Sequence, residues 1–133
     1  MEKLTNIADC DIHPAVKSMA DLEPWLSRKW IDHFRTYGAL RNQHYVSGGG
    51  YHKSQPNASR RDAYPPDGGP QGSSLSFMRT QHLDQNGIAL GILNPLVSSQ
   101  GVRNLEHSAA LCSAINHWQA EVWVDNEPRL RAS

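Results

Sequence analysis

The chain has 133 residues, the size of one ordinary domain, and its 13 basic and 13 acidic side chains give a formal net charge of zero. This balance argues against a nucleic-acid groove or an anionic membrane surface as a partner. Since no apolar run approaches the roughly 20 residues that span a bilayer and no signal peptide is evident, we expect a soluble, cytoplasmic protein without nucleic-acid or membrane partners.

Ligand-type side chains interrupt an apolar run near the start of the chain, between Ile7 and Pro14. The run predicts a strand that ends at Pro14, because proline has no N–H for a sheet ladder. Side chains alternate along a strand, so Asp11 and His13 are expected on one face, at its carboxyl end. A carboxylate and an imidazole can share a metal ion at ligand distances of roughly 2.0 to 2.2 Å. The spacing therefore predicts Asp11 and His13 as metal ligands.

A second interpretation of this short motif is turn chemistry. Asp9 or Asp11 would then cap the following segment, and His13 would simply be exposed. The same stretch contains Cys10, one of two cysteines in the chain; the other is Cys112. The two lack C-x-x-C spacing, which argues against a disulfide framework or a structural zinc cluster, and we expect both to behave as small buried hydrophobes.

The next segment predicts one amphipathic helix that starts at an Asp21 cap and stops at Gly38. Its apolar side chains recur at helical spacing, at Trp25, Leu26, Trp30, Ile31 and Phe34. We expect the aromatic side chains among them, Trp25, Trp30 and Phe34, to pack on the body of the protein.

Residues 41–74 are poor in apolar side chains and rich in glycine and proline, which predicts a long loop. Such a loop inside a compact domain is usually functional or disordered. The glycine run 48–50 lacks the preceding strand and following helix of a phosphate-binding loop. Polar side chains of this loop could reach over an active site, although such residues are more often solvated; they are His44, His52, Arg60 and Arg61.

A helix followed by a buried strand is predicted after this loop. Ser74 is a plausible cap for a helix that ends at Asn86-Gly87 and has Leu75, Met78, His82 and Leu83 at helical spacing. The apolar run 88–93 predicts a strand that is covered on both faces. Helix, short turn and buried strand in this order indicate an α/β protein with a parallel sheet.

The last predicted helix begins at an Asn104 cap and ends before Pro128. Its buried stripe is expected at Leu111, Ile115, Trp118 and Val122, and its solvent side at Ser108, Asn116, Gln119 and Asp125. His107 and His117 are ten positions apart and share no metal-binding face, so both are interpreted as ordinary helix residues. Leu130 and Ala132 then begin a third predicted strand.

Four stretches, in the right order, carry a resemblance to a known family: Asp9–Pro14, Leu22–Gly38, Arg61–Pro70, and Ala114–Trp118 leading to Asp125–Leu130. Together they resemble the N-terminal part of the amidohydrolase-related, TIM-barrel metal-dependent hydrolases, which are similar in fold to aminocarboxymuconate-semialdehyde decarboxylase. The resemblance implies an α/β fold comprising the first two β/α units of a (β/α)8 TIM barrel, with residues 41–74 as a loop insertion after strand 1. A complete barrel takes roughly 250 residues, so residues 1–133 are expected to be a truncated N-terminal fragment of such a domain.

The resemblance also implies a single divalent metal, zinc or else manganese, with Asp11 and His13 at the positions of the two ligands from the first barrel strand. The family's further ligands, a histidine and an aspartate from later strands, would then lie beyond Ser133. The implied activity is hydrolysis by a metal-activated water. A metal-dependent decarboxylase (a carbon–carbon lyase) of the same fold is an alternative, as is a non-catalytic fragment or interaction module, so whether this chain is an enzyme stays open.

The expected partner is a small-molecule substrate, a carboxylated or amide-like organic compound. The missing remainder of the barrel, or a second copy of the chain, is a further possible partner. The resemblance assigns no catalytic side chain and no organic cofactor.

Overall fold

The computed structural model describes residues 6–38, 60–96, 99 and 101–133. Three strands form one parallel sheet in the order β1-β2-β3: β1 (Ile7–Ile12), β2 (Ile88–Leu93) and β3 (Leu130–Ala132). The predicted α/β class with a parallel sheet is confirmed, and the sheet is compatible with the beginning of a (β/α)8 barrel.

Three helices connect the strands. They are α1 (Arg28–Tyr37), α2 (Leu75–Met78, continued as a π-helix over Arg79–Asp84) and α3 (Leu105–Trp118, continued as a π-helix over Gln119–Val124). Two 3-10 helices, Met19–Trp25 and Arg61–Ala63, complete the described elements. No helix in these described ranges has the length and apolar character needed to cross a lipid bilayer.

The predicted first residues of α2 and α3 are confirmed by side-chain caps at their amino ends. The Ser74 hydroxyl accepts the Phe77 main-chain N–H at 3.4 Å, and Asn104 Oδ1 accepts that of His107 at 3.0 Å. Each bond satisfies a donor that the first turn of a helix leaves without a partner. Gly38 ends α1 as predicted, with a φ of +67° that favours glycine.

The prediction of one helix from an Asp21 cap is wrong. Ser18 caps the 3-10 helix Met19–Trp25, and the Asp21 side chain accepts the Ser18 main-chain N–H at 3.2 Å in a capping box. Pro24 has no N–H for an α-helical hydrogen bond, so the segment closes as a short 3-10 helix and α1 starts only after Ser27.

The core lies where β1, β2 and β3 meet α3 and the 3-10 helix Met19–Trp25. Its buried apolar side chains include Ile12, Leu22, Leu83, Leu93, Leu111, Ala114, Ile115, Trp118, Trp123 and Leu130. Trp25 packs against this cluster, Trp30 is buried, and Phe34 is half-buried, in agreement with the predicted packing of the aromatic side chains.

The predicted faces of α3 are wrong at two positions beyond Trp118, whereas Leu111, Ile115 and Trp118 are buried and Asn116 and Asp125 are exposed, as predicted. Gln119 was expected in solvent but is buried, whereas Val122 was expected in the core but is 39% exposed. The π-helix over Gln119–Val124 has a wider turn than an α-helix, which shifts the phase of the side chains and turns Trp123 inward.

The prediction that both cysteines are buried is also wrong. Cys10 and Cys112 are exposed. Cys10 lies on β1, which pairs with β2 alone among the described strands and is therefore an edge. Cys112 lies on α3 beside Leu111, one position off the helix's buried stripe, and its Sγ is 2.7 Å from the Ser99 hydroxyl.

The side chains of β2 are more exposed to solvent than its apolar run predicts. Ala89 and Leu90 are exposed. The pairing of β2 with β3 begins only at Gly91, so the first half of β2 has a neighbouring strand on the β1 side alone. The prediction of a strand covered on both faces therefore fails at its amino end.

The structure describes the predicted loop 41–74 from residue 60 onward, and the insertion stays a prediction. His44 and His52, and the glycine run 48–50, lie outside the described residues. Arg60 and Arg61 are exposed, and Arg60 pairs with Asp62 of its own turn. The side chains of both arginines are therefore solvated, which is the second of the two possibilities that the sequence suggested.

His107 is fully buried on α3, although the sequence predicts an ordinary helix residue. Its ring stacks on Trp30 at 5.1 Å between centroids and meets the ring of His33 at 4.9 Å. Neither ring nitrogen has a hydrogen-bond partner among the described residues. Burial, together with the neighbouring His33, holds the pKa of His107 below its usual 6.5.

We expect the chain to lose stability as the pH falls below 6.5, because the unfolded chain binds a proton that folded His107 rejects. His107→Phe keeps an aromatic ring against Trp30 but does not titrate. The difference in free energy of unfolding, variant minus wild type, should be about 1 kcal/mol larger at pH 5 than at pH 7.5. Urea unfolding at both pH values measures the difference, and an equal pH dependence in the two proteins would contradict this account.

Candidate functional site

A bulge shapes the carboxyl end of β1. Asp9 pairs with Gly91 and Ile12 with Leu93, so an advance of three residues along β1 corresponds to an advance of two residues along β2. The bulge falls at Cys10 and Asp11. Asp9 Oδ1 accepts the Asp11 main-chain N–H at 3.0 Å, a bond within β1 and not the cap of a following segment that was considered from the sequence. A side chain of β1 itself therefore stabilises the bulge.

The two predicted ligands lie together at this end. Asp11 Oδ1 is 3.6 Å from His13 Nε2. Two donors bound tetrahedrally at about 2.0 to 2.2 Å from one metal stand about 3.3 to 3.6 Å apart, so the pair has the spacing of two ligands of a common ion. The Asp11 side chain is 71% exposed, and a cation can reach it from solvent.

Asn94, the first residue after β2, positions both side chains. Its main-chain carbonyl accepts a hydrogen bond from His13 Nδ1 at 2.9 Å, which places the ring proton on Nδ1 and leaves Nε2 as the ligand atom. Its side-chain amide donates to Asp11 Oδ1 at 3.2 Å and to the Cys10 carbonyl at 3.0 Å. The ends of β1 and β2 thus build the site jointly.

His82 of α2 also reaches this end of β1. Its Nε2 is 2.8 Å from Asp9 Oδ2, and Asn86 Nδ2 lies 3.3 Å from its Nδ1 and donates to its main-chain carbonyl at 3.0 Å. An amide nitrogen only donates, so Nδ1 accepts and Nε2–H donates to Asp9. Sequence reasoning took His82 as part of a helical stripe and missed this role; a histidine on an otherwise apolar helix face needs a polar partner.

A cavity of about 240 Å³ opens between β1 and α2. Asp9, Asp11, His13 and His82 all line it, together with Gln81. The volume has room for several water molecules beside the two candidate ligands. The carboxyl end of a parallel strand is also where α/β folds bind their substrates.

Gly72 supports the site from the described part of the loop. Its φ is +74°, and its carbonyl accepts the Ala15 main-chain N–H at 2.9 Å. A Cβ atom at this position would overlap the His13 carbonyl oxygen. The close approach of Gly72 therefore holds the backbone of His13 in place.

The part of the chain that the structure describes contains no group of three or more His, Cys, Asp or Glu side chains arranged to hold a metal ion. Asp11 and His13 are thus two donors of a set that needs further ligands, from water or from protein. Their chemistry, one carboxylate oxygen and one imidazole nitrogen, fits zinc and other divalent first-row ions.

A cluster of charged side chains lies at the opposite end of the strands from this site, where β2 and β3 begin. The buried Glu127 carboxylate accepts hydrogen bonds from Arg129 Nε at 2.7 Å and Arg79 Nε at 2.7 Å, and Asp84 pairs with Arg129 at 2.8 Å. These bonds, from Arg129 first, hold the pKa of Glu127 at about 2, and Glu127 and Asp84 raise the pKa of Arg129. Charges at the amino ends of parallel strands support the fold, so we assign this cluster to stability.

Comparison with known proteins gives one finding on family. A family model described as Amidohydrolase matches residues 8–133, which includes β1 from its second residue onward, β2, β3 and every residue of the site above. No curated protein matches the chain.

Proposed function

The chain belongs to the amidohydrolase family, and we propose that it serves metal-dependent hydrolysis, with Asp11 and His13, at the carboxyl end of β1, as two metal ligands. One observation carries the proposal: Asp11 Oδ1 and His13 Nε2 lie 3.6 Å apart at the carboxyl end of a parallel strand.

The residues of the chain have separate tasks in this proposal. Asp11 and His13 hold the ion, and Asn94 fixes both of them, through its carbonyl to His13 Nδ1 and its amide to Asp11 Oδ1. A bound divalent metal supplies Lewis acidity, lowers the pKa of a water to roughly 7 and stabilises developing negative charge. The cavity beside the pair admits water and the reacting group of a substrate.

The substrate class that we propose is a small organic molecule with an amide-like or carboxylate group. Family membership supports hydrolysis as the reaction, and a small molecule suits a cavity of about 240 Å³. Zinc is the ion we propose first, since one imidazole and one carboxylate are among its usual ligands, and manganese is the second.

Isothermal titration of the 133-residue chain with Zn²⁺ and with Mn²⁺ at pH 7.5 tests the ligand assignment. We expect His13→Ala to abolish saturable binding, and Asp11→Asn to weaken it at least about tenfold, because each removes one of two protein donors. His117→Ala is the matched control: this histidine is 61% exposed on α3 and should leave binding unchanged.

Far-UV circular dichroism must show the same folded spectrum for all four proteins. A folded wild type that binds neither ion, or a folded His13→Ala variant that binds as tightly as wild type, would refute the assignment.

A further inference from the structure

A chain of hydrogen bonds runs from α2 to the bulge of β1. Asn86 donates to His82 Nδ1, His82 Nε2–H donates to Asp9 Oδ2 at 2.8 Å, and Asp9 Oδ1 accepts the Asp11 main-chain N–H at 3.0 Å. The last of these groups belongs to a candidate ligand. This series of hydrogen bonds therefore ends at the backbone segment that places the Asp11 carboxylate beside His13.

The Asp9 carboxylate is held at both of its oxygens. Its side chain is 28% exposed and that of His82 is 34% exposed, so neither is freely solvated. A carboxylate with two fixed donors cannot turn about its Cβ–Cγ bond without breaking one of the bonds. Without the His82 donor, Asp9 would be free to turn, and the Asp11 N–H would lose a fixed acceptor.

The backbone of α2 accounts for the reach of His82. The helix changes from α to π at Arg79, and His82 lies in the wider π segment that ends at Asp84. Single π turns occur often at functional sites, where they re-aim a side chain. Here the side chain lies on the wall of the cavity that also contains Asp11 and His13.

From these contacts we infer that His82 is a positioning residue, which acts through Asp9 to hold the β1 bulge in the geometry that brings Asp11 and His13 together. The inference rests on the proposed function for its purpose, since it concerns the site of the proposed metal. Its structural content, that His82 fixes the Asp9 bond to the Asp11 N–H, is testable without any metal.

Two substitutions separate the hydrogen bond from general packing. His82→Leu keeps much of the side-chain volume but cannot donate to Asp9, whereas the amide of His82→Gln can replace the Nε2–H donor. In the metal-free chain, we expect the Asp11 amide to exchange its hydrogen at least about tenfold faster in His82→Leu and close to the wild-type rate in His82→Gln. Amide exchange followed by NMR measures both.

Zinc titration of the same variants gives the second measurement. We expect the Kd of His82→Leu to rise about 10- to 100-fold, as for other partners that orient metal ligands, and that of His82→Gln to stay within about threefold of wild type. Gln85→Leu is the matched control, because Gln85 is exposed at the end of α2 and does not line the cavity that contains Asp11 and His13. Its zinc affinity and its Asp11 exchange should equal those of wild type.

The two measurements keep the inference and the proposed function apart. Unchanged Asp11 exchange in His82→Leu, or a His82→Gln variant that exchanges as fast as His82→Leu, would overturn the inference whatever zinc does. Fast Asp11 exchange in His82→Leu together with wild-type exchange in His82→Gln, in a protein that binds no zinc, would support the positioning by His82 and refute the metal site.

Discussion

Replacing Glu127 with alanine is expected to lower the free energy of unfolding by about 3 kcal/mol, because the change leaves two arginines without their buried partner. Glu127 is only 3% exposed, and its carboxylate accepts hydrogen bonds from Arg129 and Arg79. The side chains of Arg129 and Arg79 are 28% and 38% exposed, so water partly compensates them, and the loss falls at the lower end for a broken buried pair.

Urea unfolding followed by circular dichroism at pH 7 measures this loss. Glu106→Ala is the matched control: Glu106 pairs with Lys29, but its side chain is 77% exposed, so the variant should lose less than about 1 kcal/mol. A loss for Glu127→Ala no larger than that of Glu106→Ala would show that the cluster adds nothing beyond a surface ion pair.

The pH dependence of the Glu127 contribution follows from its pKa. Hydrogen bonds from Arg129 and Arg79 hold that pKa at about 2, against 4.5 for an unperturbed glutamate. The contribution is therefore fully present above pH 4.5, because both states are then ionised, and it is lost as the pH falls toward 2. We expect the stabilities of wild type and Glu127→Ala to converge over this range.

Local patterns in the sequence were sufficient to predict the strands and their direction. The apolar run of β2 and the order of helix, turn and strand specify a parallel α/β sheet, and caps such as Ser74 and Asn104 act within one helical turn. Asp11 and His13 are close in sequence, but their 3.6 Å separation also depends on the bulge of β1 and on Asn94, because His13 lies one residue beyond the strand.

The rest of the site depends on contacts between distant parts of the chain. His82 reaches Asp9 across 73 positions, and the Asn94 carbonyl meets His13 across 81, so no local spacing relates them. The buried Gln119 was missed for a different reason, since a π turn changes the phase on which a helical pattern relies. Partners and phase shifts of this kind are set by tertiary packing.

Replacing Gly72 with alanine is expected to destabilise the chain by about 2 to 4 kcal/mol and to weaken metal binding as well. Two costs add at this position. A φ of +74° is unfavourable for any residue with a Cβ, and that Cβ would overlap the His13 carbonyl oxygen. Backbone atoms yield less readily than the end of a flexible side chain, so the overlap moves His13 itself.

Gly68→Ala separates the two costs. Gly68 has a comparable φ of +86°, but a Cβ there meets nothing within 4 Å among the described atoms. This variant should therefore show only the backbone cost, about 1 to 2 kcal/mol in urea unfolding, with wild-type affinity for Zn²⁺. Any loss of stability in Gly72→Ala beyond that of Gly68→Ala, together with a raised Kd for Zn²⁺, would then come from the displaced His13. Equal results for the two variants would mean that Gly72 supports a turn and has no part in holding His13.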